Sequence, residues 1–328
     1  MLSKQTFPTS LGILPGKLPA RFSRIDFQIS MLKVPDHQVA GHKALNGKLG
    51  PLIDDSGRFY KPLQSGQRGL NEAAFYQSFS SDARIPHHIH KFFPKFYGIQ
   101  SIEASDGSGL QSHLVLQDLV ANYSNPSIMD AKIGSCTWYV QAPEAYIQKC
   151  LRKDRLSSSI HLGFRISGLQ IYAGQDSGCW KPDKKITMNY TADEVKLVLR
   201  KFVSSNQSTE LNCDQDCAYA SSVYGGPSGI LAQLLELKSW FEDQTVYHFY
   251  SCSVLMVYDK KSLLKGGGAD SGPAIKLVDF AHVVDGDGVI DHNFLGGLSS
   301  FITFISEIVA QPKLLRRNDE YLRKNDEN

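Results

Sequence analysis

The chain lacks any apolar run approaching the ~20 residues a membrane-spanning helix needs, so none is expected. It lacks an excess of either charge: 35 Lys and Arg stand against 33 Asp and Glu, a formal net charge of +2. That balance gives no general reason for nucleic-acid binding, and none is expected, although a local basic patch remains open. Cysteines are few, six in all, at 136, 150, 179, 213, 217 and 252, with no disulfide framework. They read as reduced thiols of an intracellular protein. Cys213 and Cys217 are four apart but lack two further ligands at zinc spacing. His87, His88 and His90 lack an i, i+4 pair and an acid ligand, and read as a solvated helix start. No internal repeat is present.

What is present is ordinary globular composition, 328 residues with 42% hydrophobic and 21% charged, long enough for two domains or lobes. Residues 1–30 carry Lys4, Lys17, Arg21 and Arg24 against one acid, a composition faintly like an organelle transit peptide. Pro8, Pro15 and Pro19 break any amphipathic helix there, so a disordered extension is expected, with the folded part beginning near Met31. Short strands follow from His37, with turn signals at Asn46-Gly47 and Asp55 to Gly57. A helix is expected from Arg68, then strands over KFYGIQSIEA, LQSHLVLQDL and PSIMDAKIG, a helix from Ala142 and a strand over GFRISGLQIYAG. Thr191 with Glu194 forms a capping box at the head of a helix. After it come a helix from Gly226, strands over HFYSCSVLMVYD and AIKLVDFAHVV separated by the flexible GGGADSG, and a closing helix over NFLGGLSSFITFISEIV. The order predicts an α+β protein with a cleft between a small N-terminal lobe, 31–118, and a larger C-terminal lobe, 119–310, followed by a polar tail, 311–328.

Four clusters carry chemistry. Lys61 in a strand, with Glu72 eleven residues later in a helix, is an arrangement that can hold nucleotide phosphates; a surface ion pair would read the same way. The strand LVLQDLV ends at Gln117-Asp118, where backbone groups could meet adenine and the acid a ribose. A strand simply ending in polar residues is the alternative. Within PSIMDAKIG, Asp130 and Lys132 are two apart and so share one face of a strand. Buried charges need partners, so the two form either a mutual salt bridge or a cleft wall on which Asp130 faces a hydroxyl and Lys132 a moving phosphoryl group. In IKLVDFAHVV, Asp279 ends an apolar strand, a placement suited to a magnesium ion bridging nucleotide phosphates, and His282 lies three residues on. Asp285, Asp287 and Asp291 loosely match a calcium loop but lack its helices and final glutamate. A basic helix face joins these. Lys149 and Lys153 share it, Arg152 and Arg155 are near, and Arg165 opens the next strand. Solvated charges are the plain reading, but Tyr146, Cys150 and Lys153 also share a side, which favours a pocket for several phosphates.

PSIMDAKIG fits the P-x-x-x-D-x-K-x-G signature of the inositol polyphosphate kinases. VDFAH resembles that family's magnesium-binding element, and NFLGGLSSF its closing helix. HQVAGH, AYASSVYGG and IDHNFLGGL resemble the plant members of its multikinase branch. The resemblance runs from about Met31 to Ala310. It implies a kinase-like two-lobed fold and an enzyme using ATP and Mg2+. The substrates implied are inositol 1,4,5-trisphosphate and inositol tetrakisphosphates, phosphorylated at the 3- and 6-hydroxyls toward the 1,3,4,5,6-pentakisphosphate. By the same resemblance Lys61, Glu72, Gln117, Asp118 and Asp279 bind ATP, Asp130 and Lys132 are catalytic, and Lys132, Lys149, Lys153, Arg165 and His282 hold the inositol phosphate. Asp279 and Ser253 bind the metal. The implied location is the nucleus with some cytoplasm, where nuclear regulatory proteins are candidate partners. Two departures stand out. The family's Ser-Ser-Leu-Leu element reads Cys252-Ser253-Val254-Leu255, which removes one hydroxyl near the metal, and an acid found in some relatives is Ala74. A kinase acting at a single position and a non-catalytic scaffold retaining the fold are the alternatives. A protein kinase is not, since G-x-G-x-x-G and H-R-D are both absent.

Overall fold

The structure, a computed structural model, describes residues 31–39, 49–174, 178–211, 213, 215–264 and 271–311. The expected N-terminal extension, the Asn46-Gly47 turn, the glycines 266–268 and the polar tail from Pro312 lie outside these residues.

The N-terminal portion is a four-stranded antiparallel sheet in the order β1-β2-β4-β3, built from β1 (Leu52–Ile53), β2 (Arg58–Pro62), β3 (Phe96–Glu103) and β4 (Leu110–Gln117). The expected turn before β2 forms around Asp54, whose carboxylate accepts from the Ser56 and Arg58 N–H groups at 2.9 Å and from the Tyr60 hydroxyl at 3.0 Å. Between β2 and β3 run α1 (Gln67–Phe79) and a short 3-10 turn, His87–Phe92, which is where the three histidines sit.

The second sheet has five antiparallel strands in the order β10-β9-β5-β6-β7. They are β5 (Pro126–Ile133), β6 (Phe164–Gly174), β7 (Gly178–Trp180), β9 (Ser253–Asp259) and β10 (Ala274–Val278). PSIMDAKIG is thus the central strand, and every residue of β5 except Lys132 is buried. Around the sheet lie α2 (Glu144–Arg155), α3 (Ser159–Leu162), α4 (Lys184–Met188), α5 (Ala192–Phe202), α6 (Ala220–Val223), α7 (Ile230–Asp243), α8 (Lys260–Leu264) and α9 (His292–Ala310). The expected Thr191–Glu194 capping box is present at α5. By length and composition alone α9 could cross a bilayer, a match that the reading of apolar runs had not anticipated. Here its Phe294, Leu298, Phe301 and Ile305 are buried in the core.

Two expected strands are each broken in two. HFYSCSVLMVYD divides into β8 (Tyr247–Phe249) and β9, and AIKLVDFAHVV into β10 and β11 (Val283–Asp285); β8 and β11 pair separately. The breaks contain Ser251 at φ 56° and Asp279 at φ 70°. Such left-handed backbone is uncommon for residues other than glycine and ends a ladder locally. Alternating hydrophobicity carries no signal for it.

An aromatic cluster joins α1 to the second break. Phe75 and Phe280 have ring centroids 4.4 Å apart, Phe93 and Phe280 5.4 Å, and Tyr76 and Phe280 5.2 Å edge to face. Burying these rings fixes α1, and hence Glu72, against the residue that follows Asp279.

Candidate active site

A cleft of ≈ 830 Å³ opens between the two sheets, bordered by β2, the end of β4, β5, α2 and the breaks before β9 and after β10. On its inner side Lys61 from β2 donates to Glu72 Oε1 at 2.7 Å and Asp279 Oδ1 at 2.8 Å. Glu72 is 1% exposed and also accepts from the Phe280 N–H at 3.3 Å. Burial disfavours the Lys61 ammonium, but Asp279 and Glu72 outweigh that and hold its pKa well above the ordinary value. Burial likewise opposes ionisation of Asp279, yet Lys61 and then Lys132 hold its carboxyl well below the usual range. Asp279 keeps 47% of its side chain open to the cleft. Cys252, at the position where the family has serine, is buried and donates its thiol to the Asp279 carbonyl at 3.0 Å. It therefore braces the strained backbone and does not line the cleft.

Asp130 and Lys132 both line the cleft from β5, as the strand period requires. Asp130 is 3% exposed, and its Oδ1 has no hydrogen-bond partner among the described residues. Burial raises its pKa, partly offset by Lys132. Lys132 Nζ donates to the Ser251 carbonyl and, at 3.4 Å, to Ser253 Oγ. Ser253, the other expected metal ligand, is fully buried next to Lys132 and does not line the cleft. The register of β9 turns Ser253 toward Lys132, while the kinked Ser251 before it reaches the cleft.

Lys149 and Lys153 line the outer cleft from α2 with Tyr146 and Cys150, so this helix face looks inward. Desolvation in that wall, with Lys149 and Arg165 nearby, lowers the pKa of Lys153. Arg165 borders the cleft but is 4% exposed, and its Nη1 donates at 2.7 Å to both Asp154 Oδ1 and Ser159 Oγ. Asp154 also accepts from Thr137 N at 3.0 Å and Thr137 Oγ1 at 2.8 Å. The expected phosphate ligand is thus a tether as well, tying β6 to α2 and α3, while Asp154 in turn holds the loop after β5 through Thr137. His282 stacks on Tyr146 with centroids 4.3 Å apart and 23° between planes, and its Nδ1 lacks a partner among the described residues. Burial, then Arg68 and Lys132, lowers its pKa to about 4, so the ring is neutral at pH 7.

Asp118 directly follows β4 at the cleft, 9% exposed, and burial raises its pKa. The N–H groups of Gln117 and Asp118 are bonded to the Lys95 and Gly57 carbonyls, at 2.8 and 2.9 Å. These two N–H groups are therefore not free to meet a base. Leu116, Ile128, Leu255 and Val278 form an apolar slot beside them. Sequence reading missed Gln64, on the approach to α1, and Arg68, in its first turn, both of which line the cleft. Arg68 lies four residues before Glu72 and so on the same helix face, the one signal that could have found it. Ala74 is exposed on α1, away from these groups.

No cluster of three or more His, Cys, Asp or Glu able to hold a metal occurs among the described residues. One open carboxylate, Asp279, beside a buried one with a spare oxygen, Asp130, fits an ion completed by oxygens of a bound phosphate compound, as magnesium usually is, and not a closed protein cage.

A family model described as inositol polyphosphate kinase matches residues 113–306. Inositol polyphosphate multikinase beta of Arabidopsis thaliana is 57% identical over 299 residues, 90% of this chain and 99% of the relative. The inositol polyphosphate multikinase of rice is 50% identical over 287 residues, covering 86% and 96%. Among solved structures, an inositol phosphate multikinase matches with TM-score 0.62 at 52% identity over 72% of this chain and 99% of that one. The Saccharomyces cerevisiae multikinase in complex with ADP and Mn2+ matches with TM-score 0.59 at 20% identity over 77% and 99%, a likeness of fold. The chain belongs to the inositol polyphosphate kinase family, within its plant-type multikinase branch, and is an enzyme of that family's α+β fold.

Proposed function

We propose that this enzyme transfers the γ-phosphoryl group of ATP to inositol 1,4,5-trisphosphate and to inositol tetrakisphosphates, at the 3- and 6-hydroxyls, toward inositol 1,3,4,5,6-pentakisphosphate. The observation that carries this reading is the shared cleft wall of Asp130 and Lys132, facing the Lys61–Glu72–Asp279 ion-pair cluster. The ADP of the yeast structure supports a nucleotide in the same fold.

In this reading adenine enters the apolar slot of Leu116, Ile128, Leu255 and Val278, and Asp118 takes the ribose hydroxyls. Gln117 shapes the slot through its side chain and carbonyl. Lys61, held straight by buried Glu72, meets the phosphates. Asp279 would hold Mg2+, which would supply neutralisation of phosphate charge. Asp130 offers its unpartnered Oδ1 to the attacking ring hydroxyl. The hydroxyl proton passes to Asp130, the ring oxygen bonds the γ-phosphorus, and the bond from phosphorus to the ADP oxygen breaks. Lys132 sits beside the transferred group and offsets its charge, so most of the rate enhancement is positioning and electrostatics. Lys149, Lys153 and Arg68 meet the phosphates of the inositol ring, Arg165 backs them from its tether, and neutral His282 donates or accepts one hydrogen bond to the ring.

The lobes divide after residue 118. A location in the nucleus with some cytoplasm is part of this proposal, and imaging of a fluorescent fusion tests it. The function itself is tested by incubating the purified protein with ATP, Mg2+ and inositol 1,4,5-trisphosphate and separating products by anion exchange. Successive tetrakis- and pentakisphosphates are expected. One tetrakisphosphate alone narrows the enzyme to a single position, and no turnover from folded protein overturns the reading.

A further inference from the structure

The break between β8 and β9 does more than interrupt a strand. Ser251, at φ 56°, turns its carbonyl toward β5, where it accepts from Lys132 Nζ. Its hydroxyl lies 2.9 Å from the Thr137 carbonyl and 3.1 Å from the Tyr146 hydroxyl. A carbonyl can only accept, so the Ser251 proton goes to Thr137 O, and the Tyr146 phenol must be the donor in the second bond. Burial raises the Tyr146 pKa well above its ordinary value, which keeps that proton in place. The Tyr146 ring in turn stacks on His282.

We propose that Ser251 is a positioning residue: its hydroxyl, clamped between Thr137 and Tyr146, fixes the left-handed turn whose carbonyl sets the place of Lys132. The inference rests on the role given to Lys132 above. Left-handed backbone at a non-glycine residue is strained and persists where surrounding bonds over-determine it. Three elements supply those bonds: the loop after β5 through Thr137, α2 through Tyr146, and β5 through Lys132. Lys132 has a flexible four-carbon stem, so without a fixed acceptor its ammonium would sample positions away from the transferring group. The same clamp ties α2, whose face carries Lys149 and Lys153, to the lysine that acts on the phosphoryl group. Neither Ser251 nor Tyr146 needs to touch the reacting atoms for this.

The test compares wild type with Ser251→Ala, Ser251→Gly, Tyr146→Phe and the Ser251→Ala/Tyr146→Phe double variant in the inositol trisphosphate kinase assay. Ser251→Gly relieves the backbone strain while removing the hydroxyl, so it guards against a variant that merely misfolds. The expected result is a fall in kcat of about tenfold to a hundredfold in Ser251→Ala and Ser251→Gly alike, the loss that an ångström-scale misplacement produces. KM for ATP should stay within about twofold, because the Lys61 cluster is untouched. Tyr146→Phe should lose less, and the double variant no more than Ser251→Ala alone, since both remove one clamp. Wild-type kcat in Ser251→Gly would show that the backbone turn suffices and would overturn the role of the hydroxyl. A rise in KM for ATP matching the fall in kcat would overturn the route through Lys132. Absence of turnover in wild type would defeat the functional reading itself, and this inference with it.

Discussion

Lys61 and Asp279 are 218 residues apart in the chain and 2.8 Å apart in space, with Glu72 on the other side of the same ammonium. The contact closes the inner end of the cleft. It exists because Phe280, the next residue, is packed among Phe75, Tyr76 and Phe93.

Removing the shared cation should therefore harm both stability and activity. Lys61→Met leaves Glu72, 1% exposed, as a buried carboxylate without its partner. We expect a loss of about 3 kcal/mol in denaturant unfolding and of about 10²- to 10³-fold in kcat/KM. Glu72→Gln, which keeps the shape and leaves the Lys61–Asp279 pair, should unfold nearer wild type while raising KM for ATP. Equal stability of Lys61→Met and wild type would show that the cluster is not held by this ion pair.

Arg165 should behave as a structural residue first. Its side chain is 5% exposed and its partner Asp154 3%. Removing one partner of such a pair costs about 3–5 kcal/mol, so Arg165→Ala should melt well below wild type. Asp154→Asn, which keeps the bonds to Thr137 in part, should lose less. An Arg165→Ala protein with wild-type melting and weakened substrate binding would restore Arg165 as a pure phosphate ligand.

His282 has its folded pKa lowered to about 4 from an ordinary value of 6.5. The unfolded chain therefore binds a proton at this position between those values and the folded chain does not. Stability contributed by neutral His282 is fully present above pH 6.5 and is lost as pH falls toward 4. At pH 5.5 the wild type should take up about one proton more on unfolding than His282→Gln, read from the difference in the pH slopes of their unfolding free energies. Parallel slopes would contradict a neutral, buried ring.

Gly297 of α9 packs where no side chain fits: a Cβ there would lie 2.2 Å from the Gly163 carbonyl oxygen and 2.8 Å from Gly134 N. Gly134 directly follows the strand that carries Asp130 and Lys132. Gly297→Ala should destabilise by about 1–3 kcal/mol through overpacking, seen in a thermal melt, and lower kcat at temperatures where the variant remains folded. An unchanged melt would mean the helix can shift without cost.

Much of this site was legible in the sequence because the strand period is rigid. Asp130 and Lys132 had to share a face, and Lys149 and Lys153 had to share another. What escaped were features set by tertiary contacts. The left-handed turns at Ser251 and Asp279 interrupt runs that read as continuous strands, because apolar content survives through a break. That Arg165 is also tied to Asp154 could not be read, because Asp154 sits inside a basic helix and meets it only through tertiary packing. That Ser253 lies buried against Lys132 follows from the pairing of β9 with β5, which the sequence does not show. The short helices α3, α4, α6 and α8 are one to two turns long, too short for a hydrophobic period to show.

The central claim, that Asp130 presents a free carboxylate oxygen to the hydroxyl being phosphorylated, is tested most directly by Asp130→Asn in the inositol 1,4,5-trisphosphate kinase assay, with substrate affinity measured by calorimetry on the same protein. The account predicts kcat down by at least about a hundredfold, with inositol trisphosphate still bound and the melting temperature held or raised, because the substitution removes a buried charge. Turnover near the wild-type rate would contradict it.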